Sequence, residues 1–408
     1  MQLIDVLIVG GGVGGSALAA NLAEAGLSVQ LVERATEFVD RVRGEFVSQW
    51  GVAECQHLGI YDLLMAAGGH HVARHIGYDE LLTPAQAEAA TLPLGDLYPG
   101  ISGPLCMEHV AMQNVLVANA VTHAVEVLRG VSEITVKAGA APGVDFSYQG
   151  ARRSCRCRLI VGADGRSSTV RRQVGLKLNE RPVDHLISGL LVDNAHEWPA
   201  DLQAIGRAGD VEYLVFPQGG GKVRLYVDYA LSQRGRYTGD QGAHNLLDAF
   251  AVDCLPGGRG LANARPIGPC HAYPSQDATL DCLSTDGVVL IGDAAGFTDP
   301  IVGQGLSSAL RDARLVRDAL LAGSDWSTAC FSGYQEEHRE RVRRIACIAR
   351  FASTLFVTFE DHAQRARALG RMGEKPELGG LLMAGLVGSE MLPPEVFTEE
   401  FHNATFSP

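Results

Sequence analysis

The chain has 408 residues, of which 46% are hydrophobic and 20% are charged, a composition typical of a soluble globular protein. Its formal net charge of −13 argues against general nucleic-acid binding, because phosphate backbones are bound by basic surfaces. No apolar run reaches the ~18 residues that a membrane span needs. We therefore expect a cytoplasmic protein with no membrane span and no nucleic-acid partner.

Cysteine and histidine spacing does not indicate a metal site. The nine cysteines show no metal-ligand spacing, and the closest pair, Cys155 and Cys157, falls in a predicted strand. His70, His71 and His75 lack a carboxylate or cysteine partner at the spacing of helical ligands. We predict reduced thiols and no bound metal.

The first predicted elements are a buried strand and a small-residue helix, joined by a glycine cluster at residues 10–15. Gly10, Gly12 and Gly15 fit the pattern G-x-G-x-x-G. In that pattern the first glycine allows a tight turn, the second lets a pyrophosphate approach the backbone and the third lets the helix pack closely. The start of the helix adds free N–H groups and a positive dipole end, which attract phosphate.

A second predicted strand, over residues 28–32, ends at Glu33, about 20 residues after the glycine cluster. A carboxylate at that position can accept hydrogen bonds from a ribose diol, so strand, helix and strand form a dinucleotide-binding unit. Arg41 and Arg43 follow in a loop before Gly44. Their guanidinium groups suit phosphate oxygens, although a solvated basic loop remains the alternative.

Residues 73–103 are predicted to form strands and loops of another lobe, and residues 107–124 have the apolar spacing of a helix. Several strands follow, and the last ends at residue 161, just before Asp164-Gly165. Ligands bind at the carboxyl ends of strands in this architecture, whereas an Asp-Gly pair is also common in simple turns. Residues 181–281 then alternate with a period of two, which predicts a mainly antiparallel sheet.

The third informative stretch covers residues 287–306. It contains a buried strand that ends at Asp293, an Asp-Pro step at Pro300 and a helix start at residues 303–306. The Asp293 carboxylate can hold a polyol hydroxyl. The helix start presents unpaired N–H groups and a positive dipole end, which would stabilise a ring that accumulates negative charge.

Together these motifs resemble the single-component flavoprotein monooxygenases of the para-hydroxybenzoate hydroxylase type. The segments that carry the resemblance, in chain order, are residues 10–15 with Glu33, Asp164-Gly165, and residues 292–295 with Pro300 and 303–305. The resemblance implies an α/β fold in which an FAD/NAD(P)-binding Rossmann-like domain is interwoven with a mainly antiparallel β-sheet substrate domain and a C-terminal helical segment. The predicted regions are a discontinuous FAD-binding domain (1–72, 104–180 and 282–345), a substrate-binding β-sheet lobe (73–103 and 181–281) and a C-terminal helical tail (346–408).

The resemblance also implies roles for individual residues. Glu33 corresponds to the FAD ribose ligand, Asp293 to the ligand of the ribityl chain, and Pro300 to the proline whose backbone lies against the isoalloxazine ring. His109 stands where many members carry an FAD-contacting arginine, so the sequence departs from the family pattern at this contact. The implied catalytic residues are Pro300, Gly303 and Arg43. The implied cofactor-binding residues are Gly10, Gly12, Val13, Gly14, Gly15, Glu33, Arg34, Arg43, His109, Asp164, Gly165, Asp293, Gly303, Gly305 and Leu306.

The implied reaction consumes NADPH or NADH and O2. The nicotinamide cofactor, bound transiently, reduces FAD, and a C4a-hydroperoxyflavin then delivers one oxygen atom to an electron-rich carbon of a small molecule. An aromatic substrate of the phenol or indole type is expected, with a polyene also open, so the enzyme would be a hydroxylase or an epoxidase, and natural-product metabolism is one setting for it. One face of the antiparallel sheet should face the flavin, and its candidate substrate residues are Tyr213, Val215, Tyr226 and Asp228. The alternative is that the aromatic residues belong to the core.

Two other flavoenzyme classes and a non-catalytic flavin-binding scaffold remain as alternatives. A flavin-dependent halogenase needs a lysine soon after the first dinucleotide unit, whereas residues 1–136 contain no lysine. An alkene reductase of the geranylgeranyl reductase type shares the Gly-Asp-Ala-Ala-Gly motif that ends at Gly296. Gly296 stands where a larger residue is common, which could leave more room beside the flavin. Substrate-dependent oxygen consumption distinguishes the monooxygenase from these classes.

Overall fold

The computed structural model describes residues 3–42, 44–375, 378–398 and 400–401. The strands of this part of the chain, in chain order, are β1 (Ile4–Val9), β2 (Val29–Glu33), β3 (Phe46–Val47), β4 (His70–His71), β5 (Arg74–Gly77), β6 (Leu92–Pro93), β7 (Leu105–Cys106), β8 (Glu126–Arg129), β9 (Ser132–Lys137), β10 (Gly143–Tyr148), β11 (Ala151–Gly162), β12 (Asn179–Glu180), β13 (His185–Asp193), β14 (Leu202–Ala208), β15 (Val211–Gly219), β16 (Lys222–Ala230), β17 (Arg265–Pro266), β18 (His271–Ser275), β19 (Ala278–Thr279), β20 (Ser284–Thr285) and β21 (Val288–Leu290).

Helices cover the sheets and form the C-terminal part of the described chain. In chain order they are α1 (Val13–Glu24), α2 (Gln49–His57), α3 (Tyr61–Ala66), α4 (Pro84–Ala89), α5 (His109–Thr122), α6 (Thr169–Gln173), α7 (Gly242–Asp248), α8 (Gly258–Ala262), α9 (Gly305–Leu321), α10 (Ser332–Phe356), α11 (His362–Glu374) and α12 (Gly379–Val387). Within the described ranges, no helix is both long and apolar enough to cross a membrane.

The first large sheet carries the dinucleotide unit. Its strand order is β20-β21-β11-β1-β2-β8, and the pairs from β21 to β8 are parallel. Residues 6–9 of β1 are at most 2% exposed, because the sheet is covered on both faces and no polar side chain is needed there. The carboxyl ends of β1, β2 and β11 therefore meet at one edge, where α1 begins.

The second large sheet is mainly antiparallel, with the order β17-β13-β16-β15-β14-β5-β6 and β18 also paired with β13. One of its faces packs with α7 and α8 into a separate hydrophobic core that includes Leu225, Leu246 and Phe250. The opposite face looks towards the first sheet. The α/β fold with an antiparallel substrate-domain sheet and C-terminal helices, predicted from the resemblance, is confirmed.

The C-terminal helices pack together around a hydrophobic core. Phe351 and Leu355 of α10 form a core with Leu381 of α12. The predicted boundary between residues 345 and 346 falls inside α10, so one continuous helix runs from the first region into the tail. The other predicted domain boundaries remain predictions.

Candidate active site

A cavity of about 570 Å³ lies where the two large sheets face each other. Arg43, expected to contact the flavin or nicotinamide cofactor, lies outside the described residues. The other predicted cofactor-binding and catalytic residues all line this one cavity: Gly10, Gly12, Val13, Gly14, Gly15, Glu33, Arg34, His109, Asp164, Gly165, Asp293, Pro300, Gly303, Gly305 and Leu306. Residues almost three hundred positions apart in sequence therefore share one site.

The glycine cluster shows why each of its three fingerprint positions lacks a side chain. A Cβ atom on Gly10, where φ is +113°, would lie 2.3 Å from the Ala163 carbonyl oxygen, and one on Gly15 would lie 2.1 Å from the Gly10 oxygen. A Cβ on Gly12 would meet no protein atom within 4 Å. Gly10 and Gly15 thus allow close backbone packing, while Gly12 leaves open space at the start of α1, which suits a pyrophosphate.

Glu33 stabilises the same loop. Its two carboxylate oxygens accept hydrogen bonds from the backbone N–H groups of Gly11 and Ala35, each at 2.7 Å. Each oxygen keeps a further lone pair, so the carboxylate can also accept from ribose hydroxyls. The sequence indicated the ribose contact, but the bond to Gly11 becomes visible only when β2 lies beside β1.

Asp164 caps a helix in this structure. Its carboxylate accepts from the Ser168 hydroxyl and from the backbone N–H groups of Thr169 at 2.6 Å and Val170 at 3.2 Å. The residue therefore holds the start of α6 against the cavity wall. Its predicted role in cofactor binding stays a prediction.

An arginine that the sequence interpretation missed lies beside Asp293. Arg166 Nε is 3.3 Å from Asp293 Oδ2, and the guanidinium lies 4.5 Å from the centre of the Phe297 ring. Both charged residues line the cavity and are partly exposed. The signal that could have revealed Arg166 is its place directly after Asp164-Gly165, at the carboxyl end of β11.

The segment from Pro300 to the start of α9 forms a rigid wall. Asp299 accepts from the Ile301 N–H at 3.0 Å and caps the short turn Pro300–Val302, and Gly303 follows with φ +65°. Gln304 accepts from Trp50 Nε1 at 2.7 Å, a buried contact that the sequence did not indicate. The first N–H groups of α9 lack partners within the helix, so this end can stabilise negative charge on a flavin ring.

His109 is the first residue of α5 and lies beside the loop that contains Gly44. Its Nδ1 atom is 2.9 Å from the Gly44 carbonyl oxygen. With φ +83° at Gly44, a Cβ there would come within 2.5 Å of the imidazole ring. His109 therefore packs tightly against the residue that follows Arg43, and its predicted contact with FAD stays a prediction.

The antiparallel sheet provides the other wall of the cavity, and here the predicted face is corrected for two residues. Ile187, Leu214 and Tyr226 line the cavity, whereas Tyr213 and Val215 pack in the core on the opposite face. Side chains alternate along a strand, so the even-numbered residues of β15 face the cavity and the odd-numbered ones do not. The alternative that Tyr213 belongs to the core is therefore the one that the structure supports.

Asp228 lies on the cavity-facing side of β16 but is fully buried in an ionic cluster. Its Oδ1 is 3.0 Å from His185 Nε2, which also lies 3.7 Å from Asp299, while His185 Nδ1 is 3.4 Å from Asp184. Burial lowers the pKa of His185, but its bonds to Asp184 and Asp228 outweigh burial and raise that pKa well above its ordinary value. Burial raises the pKa of Asp299 to about 6.

A second buried cluster lies around Glu45, which is fully buried. Arg224 Nη2 is 2.9 Å from Glu45 and 2.8 Å from Asp40, and Tyr226 donates its hydroxyl to Glu45. Burial raises the pKa of the Glu45 carboxyl against the opposing charge of Arg224. This cluster joins the loop after β2 to β16 and fixes Tyr226 in the cavity wall.

These groups fit an FAD molecule. The open space at Gly12 and the start of α1 suit the pyrophosphate, the Glu33 carboxylate suits the ribose, and Asp293 suits the ribityl hydroxyls. The start of α9 suits the electron-rich ring. Each assignment uses a donor or acceptor that already lines the cavity.

Comparisons with known proteins agree with this fit. Residues 3–349 match the family described as FAD binding domain. Squalene epoxidase 3 of Arabidopsis thaliana is 26% identical over 321 residues, which are 78% of this chain and 60% of that protein, so the chain spans less than two thirds of its length. A digeranylgeranylglycerophospholipid reductase of Methanocella arvoryzae is 26% identical over 346 residues, covering 82% of this chain and 83% of that protein.

The fold has solved counterparts as well. The crystal structure of Pseudomonas aeruginosa PqsL in complex with 2-aminobenzoylacetate has a TM-score of 0.73 at 23% identity, covering 90% of this chain and 99% of that one. The family match covers most of the chain, and the cavity carries the groups that FAD requires. The resemblance to flavoprotein monooxygenases is confirmed, and the chain belongs to the FAD binding domain family.

Proposed function

We propose that the protein is an FAD-dependent monooxygenase that uses NADPH or NADH and O2 to insert one oxygen atom into an electron-rich, largely apolar small molecule. The observation that carries the proposal is the continuity of the cavity. It runs from the glycine cluster, past Pro300 and the start of α9, to the cavity-facing side of the antiparallel sheet. A cofactor held by the first part would present its reactive ring to a substrate held by the last.

The chain's own residues hold and shield the reacting groups. The start of α9, fixed through Gln304 and Trp50, stabilises negative charge, and the Pro300–Val302 turn forms the adjoining wall. Phe356 and Leu382 from the C-terminal helices line the cavity and exclude water from it. FAD, when bound and reduced, supplies the activation of O2.

The names of two relatives support a small organic substrate that is either a polyene or an aromatic compound. The name of squalene epoxidase describes attack on a polyene, and PqsL is known in complex with 2-aminobenzoylacetate, an aromatic compound. A polyene and an aromatic substrate are thus both compatible with the proposal. The apolar cavity wall formed by Ile187, Leu214 and Phe216 is compatible with either.

An alkene reductase is the second candidate, favoured by the similarity to the archaeal digeranylgeranylglycerophospholipid reductase. Gly296 does not add to that case. Its φ is +130°, and a Cβ atom there would lie 2.8 Å from the Ala278 carbonyl oxygen, so the backbone itself requires glycine. Extra room beside the flavin is therefore not needed to explain this residue.

The experiment uses the purified FAD-loaded protein with NADPH or NADH and a panel of phenols, indoles and polyenes. We expect one panel member to stimulate both NAD(P)H oxidation and oxygen uptake, and its product to carry one oxygen atom from isotopically labelled O2. Reactions without substrate measure uncoupled oxidation. A hydrogenated product formed without O2 would support the reductase instead, and no oxygen uptake with any accepted substrate would refute the monooxygenase.

A further inference from the structure

Glu212 is a cavity-lining acid that has no role in the proposed mechanism. It lies on β15 with its side chain on the cavity-facing side, two residues from Leu214. The residue is only 1% exposed, yet its Oε2 atom has no hydrogen-bond partner among the described residues. An unpartnered carboxyl oxygen buried at a cavity wall is costly unless a bound molecule satisfies it.

The two neighbours of Glu212 on the same face form no hydrogen bond or ion pair with it, although Arg207 Nε and Nη2 and both carboxylate oxygens of Asp228 also lack hydrogen-bond partners among the described residues. Strand pairing places Arg207 of β14 opposite Glu212 on one side and Asp228 of β16 on the other. Arg207 donates to the Thr358 carbonyl oxygen at 3.1 Å and lies over the Phe359 ring, and Asp228 is bound to His185. Within the described chain, no cation forms an ion pair with Glu212.

The electrostatic surroundings favour the protonated acid. Burial and then the negative charge of Asp228 raise the pKa of Glu212 well above its ordinary value, although the positive charge of His185 opposes them. Asp299 raises the pKa further, while Arg207 lowers it. A protonated carboxyl offers one O–H donor and an acceptor oxygen to the cavity. A negatively charged ligand group would instead be placed near Asp228 and Asp299.

Beyond Arg207 and Asp228, the wall around Glu212 carries apolar side chains. Ile205 and Leu214 lie beside it on the same face, and Ile187 and Phe356 also line the cavity. The cluster that contains Asp228 reaches Asp299, the residue before Pro300, through His185. Glu212 therefore belongs to the part of the cavity that adjoins the expected position of the flavin ring.

We propose that Glu212 is the polar contact for the substrate and hydrogen-bonds an uncharged hydroxyl or carbonyl group of an otherwise apolar molecule. The inference rests on the proposed function, since it assumes that this part of the cavity holds the substrate. The inference specifies the class of substrate, a neutral molecule with one polar group. It also identifies Glu212 as the residue that selects this substrate. Carboxylate and ammonium substrates are disfavoured.

The experiment measures ligand binding to the FAD-loaded protein by titration calorimetry, so that no turnover is needed. The probes are naphthalene, 2-naphthol, 2-naphthoate and 2-naphthylmethylamine, which share one flat apolar body and differ in the polar group. We expect 2-naphthol to bind about tenfold more tightly than the other three, as one additional hydrogen bond to a buried partner predicts.

Variants then assign the preference to Glu212. In Glu212→Leu the preference for 2-naphthol over naphthalene should disappear, whereas Glu212→Gln, which keeps a donor and an acceptor, should retain it. Tyr213→Phe, on the opposite face of the same strand, is the matched control and should bind all four probes as the unmodified protein does. If Glu212→Leu does not fold, Glu212→Met takes its place.

Each other result overturns the inference. Tightest binding of 2-naphthylmethylamine would mean that Glu212 is ionised, and tightest binding of 2-naphthoate would mean that Arg207 is the recognition group. An unchanged preference in Glu212→Leu, a lost one in Glu212→Gln, or no binding of any probe would each contradict it. If the preference is found but no substrate is oxygenated, only the proposed function fails.

Discussion

The two halves of the cavity are formed by different kinds of chemical group. The nucleotide half is formed by glycines, backbone N–H groups and helix starts, such as Gly12 and the first turn of α9. The half formed by the antiparallel sheet depends on buried charged side chains, such as Arg224 with Glu45 and His185 with Asp228. The first half is set by spacing along a short stretch of chain, whereas the second exists only after distant strands have paired.

This difference predicts different responses to mutation. Substitution in the nucleotide half should act through atomic overlap or through loss of FAD. Substitution in the sheet half should act through charges left without partners in a medium that solvates them poorly. Four predictions separate the two behaviours, beginning with the largest effect.

Arg224→Met should destabilise the protein by about 3–5 kcal/mol, because it leaves the buried carboxylate of Glu45 without its cation. Chemical unfolding measures the loss. Arg265→Met is the control, since Arg265 forms an exposed ion pair with Asp193 on the same sheet and its removal should change stability little. Equal losses of unfolding free energy in the two variants would show that the buried ion pair of Arg224 contributes no more to stability than the exposed ion pair of Arg265. Adding Glu45→Gln to Arg224→Met should recover part of the stability.

Gly15→Ala should cost about 2–3 kcal/mol, because the added Cβ would lie 2.1 Å from a backbone oxygen that cannot move freely. Gly12→Ala should leave unfolding of the FAD-free protein unchanged but weaken FAD binding, because its methyl group enters the open space assigned to the pyrophosphate. Gly333→Ala, with open space around it in α10, is the control. Retained FAD affinity in Gly12→Ala would contradict the assignment of that space.

His185→Gln should be less stable than the unmodified protein, and this difference in unfolding free energy should become smaller as the pH rises. The folded-state pKa of His185 lies well above 6.5, so its stabilising contribution is complete below about pH 6.5 and is lost as the pH rises through the folded pKa. Over that window the difference in unfolding free energy should shrink by about 1.4 kcal/mol per pH unit.

Unfolding at pH 6 and pH 9 measures this change. His244→Gln, which removes a histidine from an exposed pair with Asp248, is the control and should alter stability little at either pH. A difference between His185→Gln and the unmodified protein that stays constant from pH 6 to pH 9 would mean that His185 is not held in its charged form by Asp228 and Asp184.

Tyr213→Phe should have the smallest effect, a loss of about 1 kcal/mol, because it removes the hydrogen bond from the Tyr213 hydroxyl to the Tyr78 carbonyl oxygen. Product formation and ligand affinity should not change, because this side chain faces away from the cavity. Unfolding and steady-state kinetics measure the two quantities. A changed KM would mean that this face of β15 does reach the substrate.

The comparison also explains what could be predicted from the sequence. The glycine cluster, Glu33, Asp293 and the helix that begins near Gly303 were identifiable because each depends on local order along the chain. The face of Tyr213 was not, because an alternating strand shows two faces and only the pairing of β15 with β14 and β16 decides which one meets the cavity. Arg166 was missed because its partner, Asp293, is 127 residues away.

The cluster around His185 was missed for the same physical reason. Asp184 and His185 are adjacent in sequence, but Asp228 and Asp299 come from a different strand and from the turn before Pro300. Composition alone cannot show which charged residues become buried together. Glu212 likewise gained significance only through its neighbours on β14 and β16.

The continuous helix α10 connects the two halves of the cavity. Its 25 residues extend over about 37 Å. In the first half of the helix Arg341 binds Asp312, whose other oxygen accepts from the Gly292 N–H at 2.8 Å, next to Asp293 in sequence. At the C-terminal end of the helix Phe356 lines the cavity. Because α10 is continuous, any shift of Phe356 that the whole helix shares would also move Arg341 and, through Asp312, the turn at Gly292.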